Sequence, residues 1–165
     1  TADVVITSGG VSVGDADFIR ELMARMGEVS FWKLAIKPGR PMAFGRIGDA
    51  VLFGLPGNPV ATMVSFYQFV QDALLSLMGV TPLPPAARFA ARADFALRKP
   101  AGRVEYLRGR LLRDGAALGV TLAGAQGSGM LHSMSEADCF IVLPEDCTSV
   151  QAGDTVFIQP FHGLV

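Results

Sequence analysis

The hydrophobic pattern of this chain changes across a proline-rich segment, residues 80–85, and the change restricts the folds open to it. Before this segment, short apolar runs alternate with amphipathic stretches, which is typical of strands and helices in an α/β sheet. After it, short β-type runs are separated by turn residues, which indicates a small β-barrel or sandwich. We therefore predict an α/β unit at residues 1–79 and a β-barrel unit at residues 86–165, joined by a stiff linker.

The same patterns predict the individual elements. The strands expected in the first unit are Val4–Thr7, Trp32–Ile36, Pro41–Phe44 and Val51–Leu55. Its expected helices are Phe18–Met26, ended by Gly27, and Pro59–Met78, capped by Asn58 and apolar nearly all round. The strands expected in the second unit are Arg88–Leu97, Val104–Arg113, Ala117–Leu122, Cys139–Leu143 and Thr155–Gln159.

Composition excludes several classes of protein. The net charge of −1 gives no general attraction to nucleic acid or membranes. No apolar run is long enough to span a bilayer, and no secretory signal opens the sequence. The two cysteines lack metal-ligand spacing, so we expect free thiols and a cytoplasmic protein. Because the chain enters a buried-type strand soon after Thr1, we expect its natural sequence to continue upstream.

A glycine-rich stretch, Gly9–Asp17, lies between the first strand and the first helix. Such a loop lets the backbone approach a ligand closely and directs N–H groups at it. Asp15 and Asp17 beside it suggest a divalent cation shared with an anionic ligand, and Asp17 is the better candidate. The alternative is a tight turn followed by a helix whose first turn favours acidic residues. The spacing is that of neither a dinucleotide-binding fingerprint nor a P-loop.

Three cations lie in or just after the predicted strand Trp32–Ile36. Lys33 and Lys37 are four residues apart, so on one strand they would share a face. The Pro38-Gly39 turn would then hold Arg40 near them. This arrangement predicts a clamp for an anion, and the alternative is a solvated sheet edge.

A second loop-to-helix junction, Pro56–Pro59, and a polar loop, Gln126–Gly129, are further candidate ligand contacts. The first is either an ordinary helix start or an anion site at the carboxyl ends of the strands. The basic residues of the second unit have few aromatic neighbours, which argues against a platform for single-stranded nucleic acid.

Taken together, these motifs resemble one family. The resemblance is carried by Ser8–Asp17, Phe31–Pro41, Gly54–Pro59, Gly102–Gly109 and Gln126–Ser128. Each is similar to a segment of the molybdopterin molybdenumtransferases, the MoeA family that includes the E domain of gephyrin. The resemblance implies molybdenum cofactor biosynthesis, in which molybdate is inserted into adenylylated molybdopterin and AMP is released, with a divalent cation such as Mg²⁺.

The resemblance also implies roles for residues. Asp17, Lys33 and Lys37 would be catalytic, and Asp17 would be the metal ligand. Substrate contacts would come from Gly9, Gly10, Ser12, Gly14, Lys37, Arg40, Pro41, Gly57, Asn58, Arg108 and Ser128. Arg40 is lysine in some members, which keeps the charge but changes its geometry.

Family members have further N-terminal domains and form homodimers in which the partner completes the site. The resemblance therefore implies that this chain is the second half of a molybdopterin-binding domain plus a C-terminal β-barrel domain, inactive by itself. Two other functions stay open: a scaffold module of the gephyrin type, and a general phosphate-binding domain. The retained Asp17, Lys33 and Lys37 favour the enzyme, because a scaffold does not need them.

Overall fold

The computed structural model describes residues 2–11, 21, 25–114, 117–127 and 131–161. Its strands are β1 (Val4–Ser8), β2 (Gly27–Lys33), β3 (Ile36–Lys37), β4 (Pro41–Ile47), β5 (Ala50–Leu55), β6 (Phe89–Ala93), β7 (Leu97–Arg98), β8 (Val104–Asp114), β9 (Ala117–Leu122), β10 (Cys139–Leu143), β11 (Ser149–Val150) and β12 (Thr155–Pro160). Its helices are α1 (Pro59–Ser65), a π-helical turn (Phe66–Val70), α2 (Gln71–Leu77) and α3 (His132–Ser135). Most of the predicted helix Phe18–Met26 lies outside the described residues.

The chain forms two compact units. The first contains Thr1–Leu34 and Pro38–Leu83, and the second contains Ala35–Lys37 and Pro84–Val165. The boundary between the two units lies inside the predicted linker, residues 80–85. One short segment departs from this division: Ala35–Lys37, between β2 and β4, packs with the second unit. The sequence pattern did not predict that exception.

The first unit is built on a mixed sheet with the strand order β1-β5-β4-β2. β1 is parallel to β5, as predicted, whereas β4 is antiparallel to both of its neighbours. Gly27 directly follows the helical residues Arg25 and Met26, as predicted for a residue that ends a helix, and it is also the first residue of β2. A Cβ at Gly27 would lie 1.9 Å from the carbonyl oxygen of Arg46, so the close approach of the two strands requires glycine here.

The predicted strand Trp32–Ile36, with Lys33 and Lys37 on one face, is wrong. Lys33 ends β2 in the first unit, and Lys37 ends β3 in the second unit. Leu34 packs with the core of the first unit, whereas Ile36 is buried in the second. The alternating pattern is the same for one continuous strand and for a segment that passes between two sheets, so the pattern could not distinguish them.

The helical segment after β5 covers part of the sheet. The Asn58 side chain caps it by accepting a hydrogen bond from the Ala61 N–H at 3.5 Å, as predicted. The core between this segment and the sheet contains Val70 of the segment and Met42, Phe53 and Leu55 of the sheet. The predicted single helix is interrupted by the π-helical turn, and no residue of α2 is fully buried.

The second unit is a small β-barrel, as predicted. β10, β12, β6, β9 and β8 pair in that order, and β8 pairs again with β10, which closes the ring. All five strands correspond to predicted ones, whereas the short helix α3 was not predicted. β3 adds to the outside of the ring by pairing in parallel with β8. Within the part of the chain that the structure describes, no helix is long and apolar enough to cross a membrane.

Candidate anion-binding site

One edge of the first unit's sheet gathers most of the described candidate residues. Ser8 at the end of β1 pairs with Leu55 at the end of β5. Lys33 at the end of β2 pairs with Pro41 at the start of β4. Since strands in a sheet lie about 4.8 Å apart, this four-strand edge spans roughly 14 Å. It is long enough for an extended ligand, and we call it the loop edge.

Two glycine loops approach each other at the loop edge. The Gly9 N–H donates a hydrogen bond to the Leu55 carbonyl at 3.0 Å. A Cβ at Gly57 would lie 3.2 Å from the Gly9 Cα, a tight contact. Gly9 and Gly10 have φ angles of 95° and 74°, in the left-handed region that favours glycine. The structure thus confirms that both loops lie beyond the carboxyl ends of parallel strands.

Two hydroxyl groups connect the loops to α1. The Ser8 hydroxyl donates to the Pro56 carbonyl at 3.3 Å and lies 3.4 Å from the Thr62 hydroxyl. The Thr62 hydroxyl reaches the carbonyls of both Pro56 and Asn58. Together these contacts fix the backbone around Gly57. Thr62 was not identified from sequence, although a threonine four residues after an N-cap is placed to make this contact.

The described carboxylates of the sheet lie away from the loop edge. Lys33 and Arg40 are exposed at the loop edge. The described carboxylates of the sheet lie at the opposite end: Asp3 before β1, Glu28 at the start of β2 and Asp49 in the turn between β4 and β5. The loop edge is therefore positively charged among the described residues, as an anion site requires.

In the second unit, Lys37 forms an ion pair with a buried carboxylate. Its Nζ lies 3.2 Å from both carboxylate oxygens of Glu105. The Lys37 side chain is 53% exposed, whereas the Glu105 side chain is 5% exposed. Sequence reasoning missed Glu105, and the available signal was a single acid in the motif Gly102–Gly109, at the start of a barrel strand.

Arg108 lies inside the protein and binds protein atoms. It is 1% exposed, and burial lowers the pKa of its guanidinium group from the ordinary value. Its Nε donates to the Ser133 hydroxyl at 3.0 Å. Its Nη2 donates to the carbonyls of Ala125 and Gly127 at 3.0 and 2.9 Å. Arg108 thus holds the loop that leads to Ser128, and its contact with substrate stays a prediction.

Gln126 reinforces the same loop. Its Oε1 accepts from the Arg108 backbone N–H at 2.8 Å, and its Nε2 donates to the Arg108 carbonyl at 3.1 Å. The side-chain amide therefore bonds to β8 as a neighbouring strand would. The Gln126 side chain thus anchors the loop, and a ligand contact from this loop stays a prediction.

Four predicted site residues, Ser12, Gly14, Asp17 and Ser128, lie outside the described residues. Within the described ranges, no three His, Cys, Asp or Glu side chains come together as a metal site. The described strands also bring no carboxylate to the loop edge. The described residues by themselves therefore do not form an Mg²⁺ site. Asp15 and Asp17, both outside the described residues, remain candidate ligands, and Asp17 is the better one.

Comparisons with known proteins agree with this two-domain arrangement. Residues 1–76 match the family described as a probable molybdopterin binding domain, and residues 90–161 match the MoeA C-terminal region, domain IV. The class is thus a molybdopterin-binding α/β domain followed by a MoeA-type barrel domain. The chain belongs to the MoeA family, whose curated relatives are named molybdopterin molybdenumtransferases.

Individual relatives give the extent of the match. The Haemophilus influenzae molybdopterin molybdenumtransferase is 44% identical over 165 residues, covering 99% of this chain and 41% of the relative. The Bacillus subtilis enzyme of that name is 35% identical over 156 residues, covering 93% and 36%. The MoeA protein structure from Pyrococcus horikoshii superimposes with a TM-score of 0.77 at 30% identity, covering 98% and 38%. The chain thus spans about two fifths of these relatives' length.

Proposed function

We propose that this chain carries part of the active site of a molybdopterin molybdenumtransferase. The whole protein would insert molybdate into adenylylated molybdopterin and release AMP. The observation that supports this most directly is the loop edge, where two glycine loops meet beside Lys33 and Arg40. An extended, multiply charged anion such as a pterin joined to a nucleotide fits an edge of this length and charge.

Each group of candidate residues would have its own role in binding the substrates. The absence of a Cβ at Gly9 and Gly57 lets the two loops pack against each other, and the backbone that they bring to the loop edge would contact a phosphate. Lys33 and Arg40 offset the charge of the phosphates, and Lys37 binds the tetrahedral oxyanion. A cation held by Asp17 would neutralise charge on the phosphate linkage.

The remaining properties rest on the family resemblance. We propose that Mg²⁺ is the cation, that the whole protein is a cytoplasmic homodimer, and that this chain has no activity by itself. Each is open to direct measurement, by metal substitution, sedimentation and an assay of the isolated chain.

The experiment measures AMP released from adenylylated molybdopterin, with and without molybdate, by the whole protein. Asp17→Asn should lower molybdate-dependent release about 100-fold, the usual size of an electrostatic positioning effect. Lys37→Ala should chiefly weaken anion binding and depend less on the metal. Asp49→Asn is the matched control, since Asp49 lies at the opposite end of the sheet. Near-normal release by Asp17→Asn would contradict a role for this carboxylate, and a loss as large in Asp49→Asn would contradict the location of the site.

A further inference from the structure

The two partners of the Lys37–Glu105 ion pair differ strongly in solvent exposure. The ammonium group lies on a half-exposed side chain, but the carboxylate is almost completely buried. Among the described residues, Lys37 is the only hydrogen-bond partner of the Glu105 side chain. A buried carboxylate without a partner is costly, so Glu105 holds the lysine strongly.

The pairing of β3 with β8 fixes the backbone positions of Lys37 and Glu105 relative to each other. β3 pairs with β8 so that Lys37 lies directly beside Glu105, and Ile36 beside Val104. Ile36 is 7% exposed, which anchors this two-residue strand. The Val104 N–H also donates to the Ala35 carbonyl at 2.9 Å. The Lys37 ammonium is therefore held against the Glu105 carboxylate, although the lysine side chain has four rotatable bonds.

The pair leaves Lys37 able to bind an anion. An ammonium group has three N–H donors, and the two carboxylate oxygens occupy at most two of them. At least one donor is therefore free of Glu105, on a side chain that is 53% exposed. Because the lysine side chain is already ordered by Glu105, binding of an oxyanion does not carry the entropy cost of ordering it.

We propose that Glu105 is a positioning residue that holds the Lys37 ammonium for a tetrahedral oxyanion substrate and limits how tightly that anion binds. The proposal rests on the proposed function, since it takes Lys37 as a contact of the molybdate. The carboxylate charge offsets part of the lysine charge, so the anion binds in a defined place without being trapped.

Glu105→Gln in the whole protein separates positioning from simple folding. The amide keeps the shape and one acceptor but removes the charge. We expect molybdate to bind about 3- to 10-fold more tightly at low salt, because one charge near the anion is lost. We expect kcat to fall about 10-fold, because one neutral acceptor holds the ammonium less firmly than the carboxylate does. A residue that only stabilised the barrel would weaken binding and lower the melting temperature together.

A double-mutant cycle for molybdate affinity, measured by calorimetry, shows whether Glu105 acts through Lys37. The Glu105→Gln effect should disappear in a Lys37→Met background. Glu136→Gln, which breaks the more exposed pair with Arg110, should leave affinity and kcat unchanged. If Glu105→Gln fails to fold, Glu105→Asp, with its shorter reach, should keep affinity near normal and lower kcat.

The outcomes distinguish the two levels of the account. If Lys37→Met binds molybdate like the wild type, the proposed function of Lys37 is wrong. If Lys37→Met weakens binding but Glu105→Gln matches the wild type in both affinity and kcat, only the positioning role is overturned. Equal Glu105→Gln effects with and without Lys37 would overturn it as well.

Discussion

Arg108→Met should release the loop that leads to Ser128. Methionine replaces the unbranched stem of arginine but ends short of the guanidinium group, so it cannot make the three hydrogen bonds of Arg108, to Ser133 Oγ and to the carbonyls of Ala125 and Gly127. The two carbonyls belong to exposed residues, so water can replace the lost donor there. Ser133 is 3% exposed, so its hydroxyl loses a charged partner inside the protein.

The magnitude follows from those unequal losses. A hydrogen bond from a charged group is worth about 1.5–3 kcal/mol when it is buried, and much less where water replaces it. Burial lowers the pKa of Arg108, which means that the folded protein also bears a desolvation cost that methionine removes. We therefore expect Arg108→Met to lower the free energy of unfolding by about 2 kcal/mol, and not by three full hydrogen bonds.

The assay combines urea unfolding with hydrogen exchange resolved by mass spectrometry. The midpoint should fall, and amides in residues 123–127 should exchange faster than in the wild type. Arg110→Met is the matched control, since Arg110 lies two residues further along the same face of β8 and is 51% exposed. It should change stability by no more than about 0.5 kcal/mol. Wild-type stability and protection in Arg108→Met would refute this reasoning.

Three further predictions concern the barrel and the linker. Gly109→Ala should lower the free energy of unfolding by about 1–3 kcal/mol, because its Cβ would lie 2.7 Å from Ile141 Cγ1; an unchanged urea midpoint would contradict this. Burial raises the pKa of Cys139 from 9.0 to about 12. Between those pH values the folded state therefore keeps a proton that the unfolded state loses, so the free energy of unfolding should fall by about 1.4 kcal/mol per pH unit. Cys139→Ala should reduce this pH dependence in alkaline denaturation curves, and Cys147→Ala should leave it unchanged. Limited proteolysis should cut first within residues 82–87, and a first cut inside β8 would argue against two separate compact units.

The barrel was predictable because its strands carry local signals. Each barrel strand contains a short stretch of mostly apolar residues, and turn residues separate one strand from the next. Leu107, Val120, Ile141 and Ile158 all reach the core that this pattern predicts. The first strand was predictable for the same reason, since an apolar run before a glycine loop indicates a parallel strand.

The errors come from contacts between residues that are distant in sequence. Gly27 follows the end of the predicted helix, but no local pattern shows that β4 passes too close there for a side chain. Lys33 and Lys37 were placed on one strand, because alternation does not show which sheet each residue joins. Glu105 is 68 residues from its partner Lys37, and no local pattern reveals such a pair.

The candidate site was only partly predictable for a similar reason. The glycine loops were recognised from sequence, since a loop between strand and helix is a local feature. Thr62 and Ser8, which fix those loops, are ordinary residues whose role appears only when β1 and β5 pair. The direction of the Arg108 side chain toward the loop carbonyls was equally invisible in the sequence.

The most direct test of the loop edge is the affinity of adenylylated molybdopterin for two arginine variants of the whole protein. Arg40→Ala removes a cation beside the start of β4, and Arg46→Ala removes one near the other end of the same strand. Both are exposed, so neither change disturbs a core. Arg40→Ala should weaken binding about 10- to 100-fold, the worth of one charged contact, and Arg46→Ala should bind like the wild type. Wild-type affinity in Arg40→Ala, or an equal loss in Arg46→Ala, would contradict a substrate site at this edge.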